Sequence, residues 1–333
     1  SRAAVRGSIA TGLRALALCA LGLSAVAAGA QPLAGGAGAG GVAFREVWAY
    51  LMRGEERFLG AGLPITDLCL FSAEINAYGE LVGVPPAASV SSFPGRKHLV
   101  VAEIGSYSLT HFCLDPAFPI RAALVDAIVA AAEPFDGVQI DFEAIPVRDR
   151  DNFVTFLGQL KAGLGPRILS VAVPARLSAA GDALGYARLA AVADRIVVMA
   201  YDEHWSTSEP GPVASMDWCR SVAAYARSVV PVDRLVMGLP FYGRAWGDRR
   251  TNRALKYSAV EELIAEKGIG VFFRESGIPR VRYQETVNVD VYYDDAESLL
   301  ERMRLYRDSG VRAVAFWRLG QEDPAVWKGV GRD

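Results

Sequence analysis

The chain has 333 residues, 35 basic and 37 acidic side chains, and a net charge of −2 with its histidines neutral. That length suits one large domain or two small ones, and apolar and charged fractions of 52% and 22% are ordinary for a globular protein. The near-neutral balance, with no long run of like charge, excludes the basic face that a nucleic-acid partner would require.

The first 45 residues contain no acidic side chain. Arg2, Arg6 and Arg14 form a basic region, and ALALCALGLSAVAA (residues 15–28) follows as an apolar stretch. Ala28, Gly29 and Ala30 offer the small side chains that a signal peptidase reads, with Gln31 as the new N-terminus. Residues 1–30 therefore read as a secretory signal, too short and too poorly flanked for a stable membrane span. Residues 31–45, which include PLAGGAGAGG, read as a flexible linker. Residues 46–333 are expected to be exported, periplasmic or extracellular, and monomeric. Three cysteines lie beyond the signal: Cys69, Cys113 and Cys219. Their odd number and wide spacing fit neither a disulfide framework nor a zinc site. Cys69, in the apolar run LCLF, reads as a buried thiol; a single Cys69–Cys113 bridge is the alternative in an oxidising compartment.

From residue 46 onward, short apolar runs alternate with helical patterns. The runs are EVWAYL (46–51), DLCLFSAEI (67–75), HLVVAEI (98–104), GVQIDFE (137–143), ILSVAV (168–173), RIVVMAY (195–201), LVMGLP (235–240) and AVAFW (313–317). They are rich in Val, Ile, Leu and aromatics, as strands buried on both faces are. Helical stripes cover 119–132, 150–164, 215–230 and 294–310. The last of these starts with acids, ends in basic residues and stops at Gly310, which suits the helix dipole and a glycine cap. Eight such strand–helix alternations predict an α/β fold, a (β/α)8 TIM barrel. A doubly wound open sheet is the competitor, weakened by the lack of G-x-G-x-x-G after the first strand. Residues 244–290 break the rhythm after the seventh strand. There, Ser258 and Glu261 suggest a capping box for a helix over 258–268, and residues 280–294 alternate like a hairpin. This reads as a small α/β insertion on the C-terminal rim.

The fourth run belongs to FDGVQIDFEAIP (135–146). Side chains alternate across a strand, so Gln139, Asp141 and Glu143 share one face while Val138, Ile140 and Phe142 share the other. In a barrel the apolar set faces the helices and the polar set points inward. Glu143 then lies at the rim, with Asp141 roughly 7 Å deeper. Two buried acids that close repel each other, and at least one resists ionisation. A carboxyl kept protonated near neutral pH can donate a proton to a leaving group. A structural polar cluster at the barrel bottom would explain one buried acid, but not a column that ends at the rim.

FDGVQIDFE resembles the D-G-x-x-x-D-x-E signature of family 18 glycoside hydrolases, the chitinase-like (β/α)8 enzymes. VMAYDEH (198–204) is similar to that family's sixth-strand M-x-Y-D, MGLPFYGRAW (237–246) to its seventh-strand G-x-P-x-Y-G-R, and AVAFWRLGQED (313–323) to its eighth strand. The four motifs occur in the family's order and spacing, and the resemblance spans about residues 46–328. EHWSTSEPGPVAS is similar to the bacterial branch that holds spore-cortex and other peptidoglycan hydrolases. The resemblance implies Glu143 as general acid, Asp141 as partner of the substrate acetamido N–H, and Tyr201 as donor to the acetamido oxygen. No second carboxylate acts as nucleophile, because the acetamido carbonyl attacks the anomeric carbon itself. Asp202 and Tyr242 would hold the sugar and Trp317 would form its floor. Asp136, Gln139, Met199 and Arg244 complete the implied substrate-binding set, although Met199 suits packing and Arg244 a rim ion pair equally well. Trp48, Trp205 and Trp246 are candidates for stacking on outer sugars. His98, His111 and His204 lack metal-ligand spacing, so neither a metal nor a cofactor is expected.

Two departures stand out. The family commonly has a third acid where Gln139 stands, so Asp141 loses a charged neighbour and should ionise more readily. AEIGSYS (102–108) replaces the usual S-x-G-G, leaving Glu103 as either local structure or a substrate contact. The expected function is hydrolysis of β-1,4 bonds next to N-acetylglucosamine in peptidoglycan or chitin-type chains, a polysaccharide partner rather than a nucleic acid. The alternatives are a non-catalytic sugar-binding protein on the same barrel and an endo-β-N-acetylglucosaminidase acting on glycoprotein glycans. Retention of both Glu143 and Asp141 speaks against the sugar-binding alternative.

Overall fold

The computed structural model describes residues 41–249 and 252–333. The secretory signal expected over residues 1–30, and the linker as far as residue 40, lie outside the described residues. Eight parallel strands form the wall: β1 (Glu46–Met52), β2 (Asp67–Ile75), β3 (Arg96–Glu103), β4 (Gly137–Phe142), β5 (Ile168–Pro174), β6 (Arg195–Met199), β7 (Leu235–Pro240) and β8 (Ala313–Trp317). They follow the order β1-β8-β7-β6-β5-β4-β3-β2, and pairing of β1 with β2 closes the ring. The expected (β/α)8 barrel is the observed fold, and each apolar run is one of its strands.

Helices α1 (Tyr107–Leu114), α2 (Ile120–Ala131), α3 (Arg150–Leu164), α4 (Tyr186–Ala190), α5 (Met216–Val229), α6 (Tyr257–Glu266) and α7 (Ala296–Asp308) complete the regular elements. The helical stripes account for α2, α3, α5 and α7, while α1 and α4 are too short to show a period. Outward-facing strand residues pack on the helices. Phe142 of β4, for example, stacks on Phe153 and Phe156 of α3 at centroid distances of 6.1 and 5.8 Å. The helix α7 opens with a capping box between Asp295 and Ser298, and the chain leaves it through Gly310 at φ 83°, a left-handed conformation that glycine adopts without cost. Among the described residues no helix is long and apolar enough to cross a membrane.

The barrel interior is layered. Trp48, Tyr50, Cys69, Val100, Val197, Val236, Ala313 and Ala315 fill it, together with buried Gln139 and Ser170. Its N-terminal end is closed by charges. Arg195 and the Trp48 indole donate to Glu46. Arg96 donates twice to Asp67, at 2.7 and 2.8 Å, and His98 Nε2 lies 2.7 Å from the same carboxylate. Burial alone would push the Asp67 carboxyl up, but the bonds from His98 and Arg96 outweigh it and hold it down at about 2.

Several local expectations are corrected. The linker ends before residue 45, because Val42–Phe44 is a strand that pairs in parallel with Val330–Arg332. Cys69, Cys113 and Cys219 are all free and buried, so no Cys69–Cys113 bridge forms. The insertion exists, but Ser258 does not cap its helix. Helix α6 begins at Tyr257, the capping position falls on Lys256, and no side chain accepts there. The hairpin expected over 280–294 is two separate pairings. Phe273–Glu275 pairs with Ile278–Arg280 around Ser276 and Gly277, both at positive φ, whereas Val289–Tyr292 pairs with Arg244–Gly247.

Because Asp67 ionises at about 2 in the fold against an ordinary 3.8, its contribution is complete above pH 4 and vanishes as pH falls through 2. Asp67→Asn should therefore cost about 2 kcal/mol at neutral pH. Thermal denaturation at pH 7 and across pH 4 to 2 checks this: the wild type alone should show the extra acid-range loss.

Candidate active site

A cleft of about 720 Å³ opens at the C-terminal ends of the strands. It is lined by Asp141, Glu143, Met199, Tyr201, Asp202, Tyr242, Arg244 and Trp317 from the sequence-derived set. The period-two alternation of β4 places them as expected: Asp141 is 6% exposed, and Glu143, one residue past the strand, opens to the cleft. Burial first and the neighbouring Glu143 second raise the Asp141 carboxyl to about 7. Its Oδ1 is buried with no hydrogen-bond partner, a costly state unless a ligand donor arrives. Glu143 is also raised, by desolvation, then by Asp202 and by Glu103. The proton donor expected at the rim is thus held toward its protonated form.

Tyr201 stands beside this pair. Burial, then the charge of Asp141, raise its hydroxyl well above the ordinary value, so it remains a donor at any working pH. Gly238 makes its position possible: a Cβ there would come 2.6 Å from the Val198 carbonyl and 3.1 Å from the Tyr201 ring. The next residue, Asp202, adopts φ 58°, a left-handed conformation that Asp tolerates better than most. Its Oδ1 accepts from Tyr242 Oη at 2.5 Å and from Arg244 Nε and Nη2 at 3.2 and 2.6 Å. Arg244 is therefore a rim ion pair. The indole of Trp317 packs against Tyr50 and edge-on to Phe71, with centroids 5.2 and 4.9 Å away. These two aromatics fix the floor and themselves line the cleft.

Two expected substrate contacts are elsewhere. Asp136 precedes β4, at the opposite end of the barrel, where its carboxylate accepts the Lys97 amide at 2.8 Å. Gln139 is fully buried beneath Asp141. It accepts from Tyr50 Oη at 2.6 Å and donates to Ser170 Oγ at 3.2 Å, and it does not line the cleft. Even with an uncharged Gln139 beneath it, Asp141 is raised, by burial first and Glu143 second. Trp48 is fully buried in the lower barrel, and Trp246 is 9% exposed with its Nε1 donating to the Trp205 carbonyl. Only Trp205 of those three is exposed, and it does not line the cleft. The Glu103 carboxylate accepts the Ser106 amide ahead of α1, and its charge also reaches Glu143.

The sequence reading missed Tyr50, Phe71, Ile104, Pro174, Ala175, Trp218 and Gln321 on the cleft wall. Counting alternation along β1 from the strand end would have found Tyr50, but nothing local marks Trp218. Of the three histidines set aside as lacking ligand spacing, His111 has carboxylates of Asp115 and Asp149 nearby, all within 4.8 Å. Its Nδ1 lies 2.7 Å from Asp149 Oδ2, a hydrogen bond that ties α1 to the start of α3.

The sequence pattern of glycosyl hydrolases family 18 matches residues 120–322. YdhD of Bacillus subtilis (strain 168), provisionally named a sporulation-specific glycosylase, is 31% identical over 220 residues, 60% of this chain and 51% of that protein. The chain thus spans about half the length of that relative. The spore cortex-lytic enzyme SleL of Bacillus cereus superposes with a TM-score of 0.70 at 23% identity, covering 88% of this chain and 76% of that one. A chitinase from Chromobacterium violaceum superposes at 0.66 with 25% identity, covering 86% and 97%.

The desolvated Asp141 carries a stability consequence. With a folded value of about 7 against an ordinary 3.8, the native state holds a proton that the unfolded chain has released, so stability falls as pH rises from 4 to 7. Asp141→Asn should remove a penalty of up to about 4 kcal/mol. Its melting temperature should exceed the wild type's at pH 8 and match it near pH 4, as differential scanning calorimetry would show.

Proposed function

The chain belongs to glycosyl hydrolase family 18 and is a glycoside hydrolase, and we propose that it is exported and cuts β-1,4 bonds beside N-acetylglucosamine in peptidoglycan or chitin-type chains. Export rests on the basic and apolar segments of residues 1–30. The choice of polymer rests on the likeness to cortex-lytic and chitinase structures. The observation that carries the chemistry is the Asp141–Glu143 pair: one raised carboxyl open to the cleft, and one buried carboxyl with a bare oxygen.

Glu143 protonates the glycosidic oxygen as the bond breaks. The substrate's acetamido carbonyl closes on the anomeric carbon, so no enzyme carboxylate need attack. Asp202 is poorly suited to that task, since three donors already converge on one of its oxygens. Asp141 accepts the acetamido N–H, which supplies its missing partner and sets a negative charge against the positive charge growing on the ring. The Tyr201 hydroxyl donates to the acetamido oxygen and fixes its line of attack. The indole of Trp317 carries the apolar face of the sugar, and the free oxygen of Asp202 accepts a sugar hydroxyl. Water then opens the intermediate with Glu143 as base, and the anomeric configuration is retained.

The test is to incubate the protein and its Glu143→Gln variant with purified peptidoglycan and with N-acetylglucosamine oligosaccharides. The wild type should release new reducing ends, and the variant should be slower by about 1,000-fold. No product from any acetamido-sugar substrate would overturn the reading. A de-N-acetylated substrate should be inert, because it lacks the nucleophile. Gln139→Asp places a second acid beneath Asp141 and disfavours its ionised form, so the acid limb of the kcat/KM profile should move to higher pH. An unmoved limb would show that position 139 does not tune the pair.

A further inference from the structure

Helix α5 presents two faces. Cys219, Val222, Ala223 and Ala226 are buried against the barrel wall. Trp218, in the first turn, is only partly buried, and its exposed part lines the cleft. An aromatic at such a place is ordinarily core packing. What sets this one apart is how firmly its turn is held. The Ser215 amide donates to Glu203 Oε2 at 2.7 Å and the Ser215 hydroxyl to Oε1 at 3.0 Å. Arg302 of α7, 3% exposed, donates through Nη2 to the Ala214 carbonyl at 2.6 Å and to Asp294 at 2.9 Å. Its Nε and Nη1 have no partner. A buried guanidinium left partly unpaired is a net cost to the fold. What it secures is the loop that leads into Trp218.

The surroundings define a ligand class. The uncharged part of the same cleft lining includes Ala172, Pro174, Ala175 and Met199, near the ends of β5 and β6. None of them carries charge or a side-chain donor. Among the described residues the charged ones on the cleft are Asp141, Glu143, Asp202 and Arg244, and Arg244 is bound to Asp202. A carboxylate brought against the Trp218 wall would lose its water without gaining a partner. The apolar face of a neutral sugar ring loses nothing there and gains the area of an indole.

We propose that Trp218 is a substrate-contacting, specificity-determining residue that stacks on an uncharged sugar neighbouring the one seated on Trp317, with Glu203 and Arg302 as positioning residues that hold it in place. This rests on the hydrolase reading, and it adds that the sugar at this wall carries no acidic substituent.

Binding to the Glu143→Gln protein tests it, because affinity is then read without turnover. A tetramer of N-acetylglucosamine should bind Glu143→Gln/Trp218→Ala about tenfold more weakly than Glu143→Gln, the loss expected for a deleted aromatic anchor. Trp218→Phe should lie between, and it carries the test if the alanine variant does not fold. Arg302→Met should weaken binding in the same background but add little to Trp218→Ala, since the two act on one contact. An affinity that shifts by less than about twofold in folded Trp218 variants would overturn the proposal. So would full additivity of the Arg302 and Trp218 effects, for the positioning role. A tetramer carrying 3-O-carboxyethyl groups should bind Glu143→Gln more weakly than the neutral one; equal or tighter binding would overturn the neutral-sugar assignment. Wild-type hydrolysis is followed in parallel. Its absence refutes the hydrolase reading while leaving the affinities interpretable, whereas hydrolysis with unchanged Trp218→Ala affinity refutes only the wall.

Discussion

The structure turns on a carboxyl that the fold dehydrates and leaves unpaired. Asp141 shares the barrel interior with Asp67, and both are almost fully buried. Yet Asp67 is held down to about 2 and Asp141 is raised to about 7. The difference is partners. At the N-terminal end, Arg96 and His98 converge on Asp67, and the ionised form is favoured despite burial. At the C-terminal end no cation among the described residues lowers Asp141, the charged neighbour that acts on it is another acid, Glu143, and one oxygen is bare. One end of the barrel is built to be stable and the other to be completed by a ligand.

That division explains which parts of the protein could be read from its sequence. A parallel strand covered by helices on one face and barrel core on the other must be apolar throughout, so the eight wall strands announce themselves. The exceptions announce themselves too: Asp141 and Glu143 interrupt β4 at a spacing of two, which allows only one side. Tyr201 and Trp317 close apolar runs and Tyr242 lies two residues past one, but it is the family resemblance, not the periodicity, that singles them out. Asp136 is the instructive failure. A motif read as letters joins it to Asp141, but it precedes the strand, and strand ends on opposite rims are a barrel length apart. Gln139 fails differently: its parity is right but its depth is wrong, and Tyr50 and Ser170 absorb its hydrogen bonds.

What the sequence hid is non-local. Residues 280–294 alternate as a strand should, but alternation does not name the partner. Val289–Tyr292 pairs with Arg244–Gly247, across the whole insertion, because Gly243 lets the two segments meet at the cleft edge. A Cβ on Gly243 would come 2.6 Å from the Tyr292 carbonyl. The Trp218 wall is hidden for the same reason, since only the barrel brings the start of α5 and the ends of β5 and β6 to one cleft. Buried Arg302, in a helix that reads as an ordinary amphipathic stripe, gives no local sign that two of its N–H groups will be unpaired.

Among the described residues, buried polar atoms without partners include Asp141 Oδ1 inside the cleft and Arg302 Nε and Nη1 behind its wall, besides His98 Nδ1 at the N-terminal end, Arg176 Nε and Tyr306 Oη. The remaining rim is over-determined by comparison: three donors on one Asp202 oxygen, two bonds from Ser215 to Glu203. A site meant to discriminate between a neutral ring and a charged one needs walls that do not yield, because a mobile side chain or an admitted water would solvate the intruding charge and erase the penalty. Rigidity at Asp202, Ser215 and Ala214 therefore serves the same end as the dehydration of Asp141. Both keep the cleft a place where a missing partner is costly, so that only a ligand with the right donor and the right apolar face can supply what is missing.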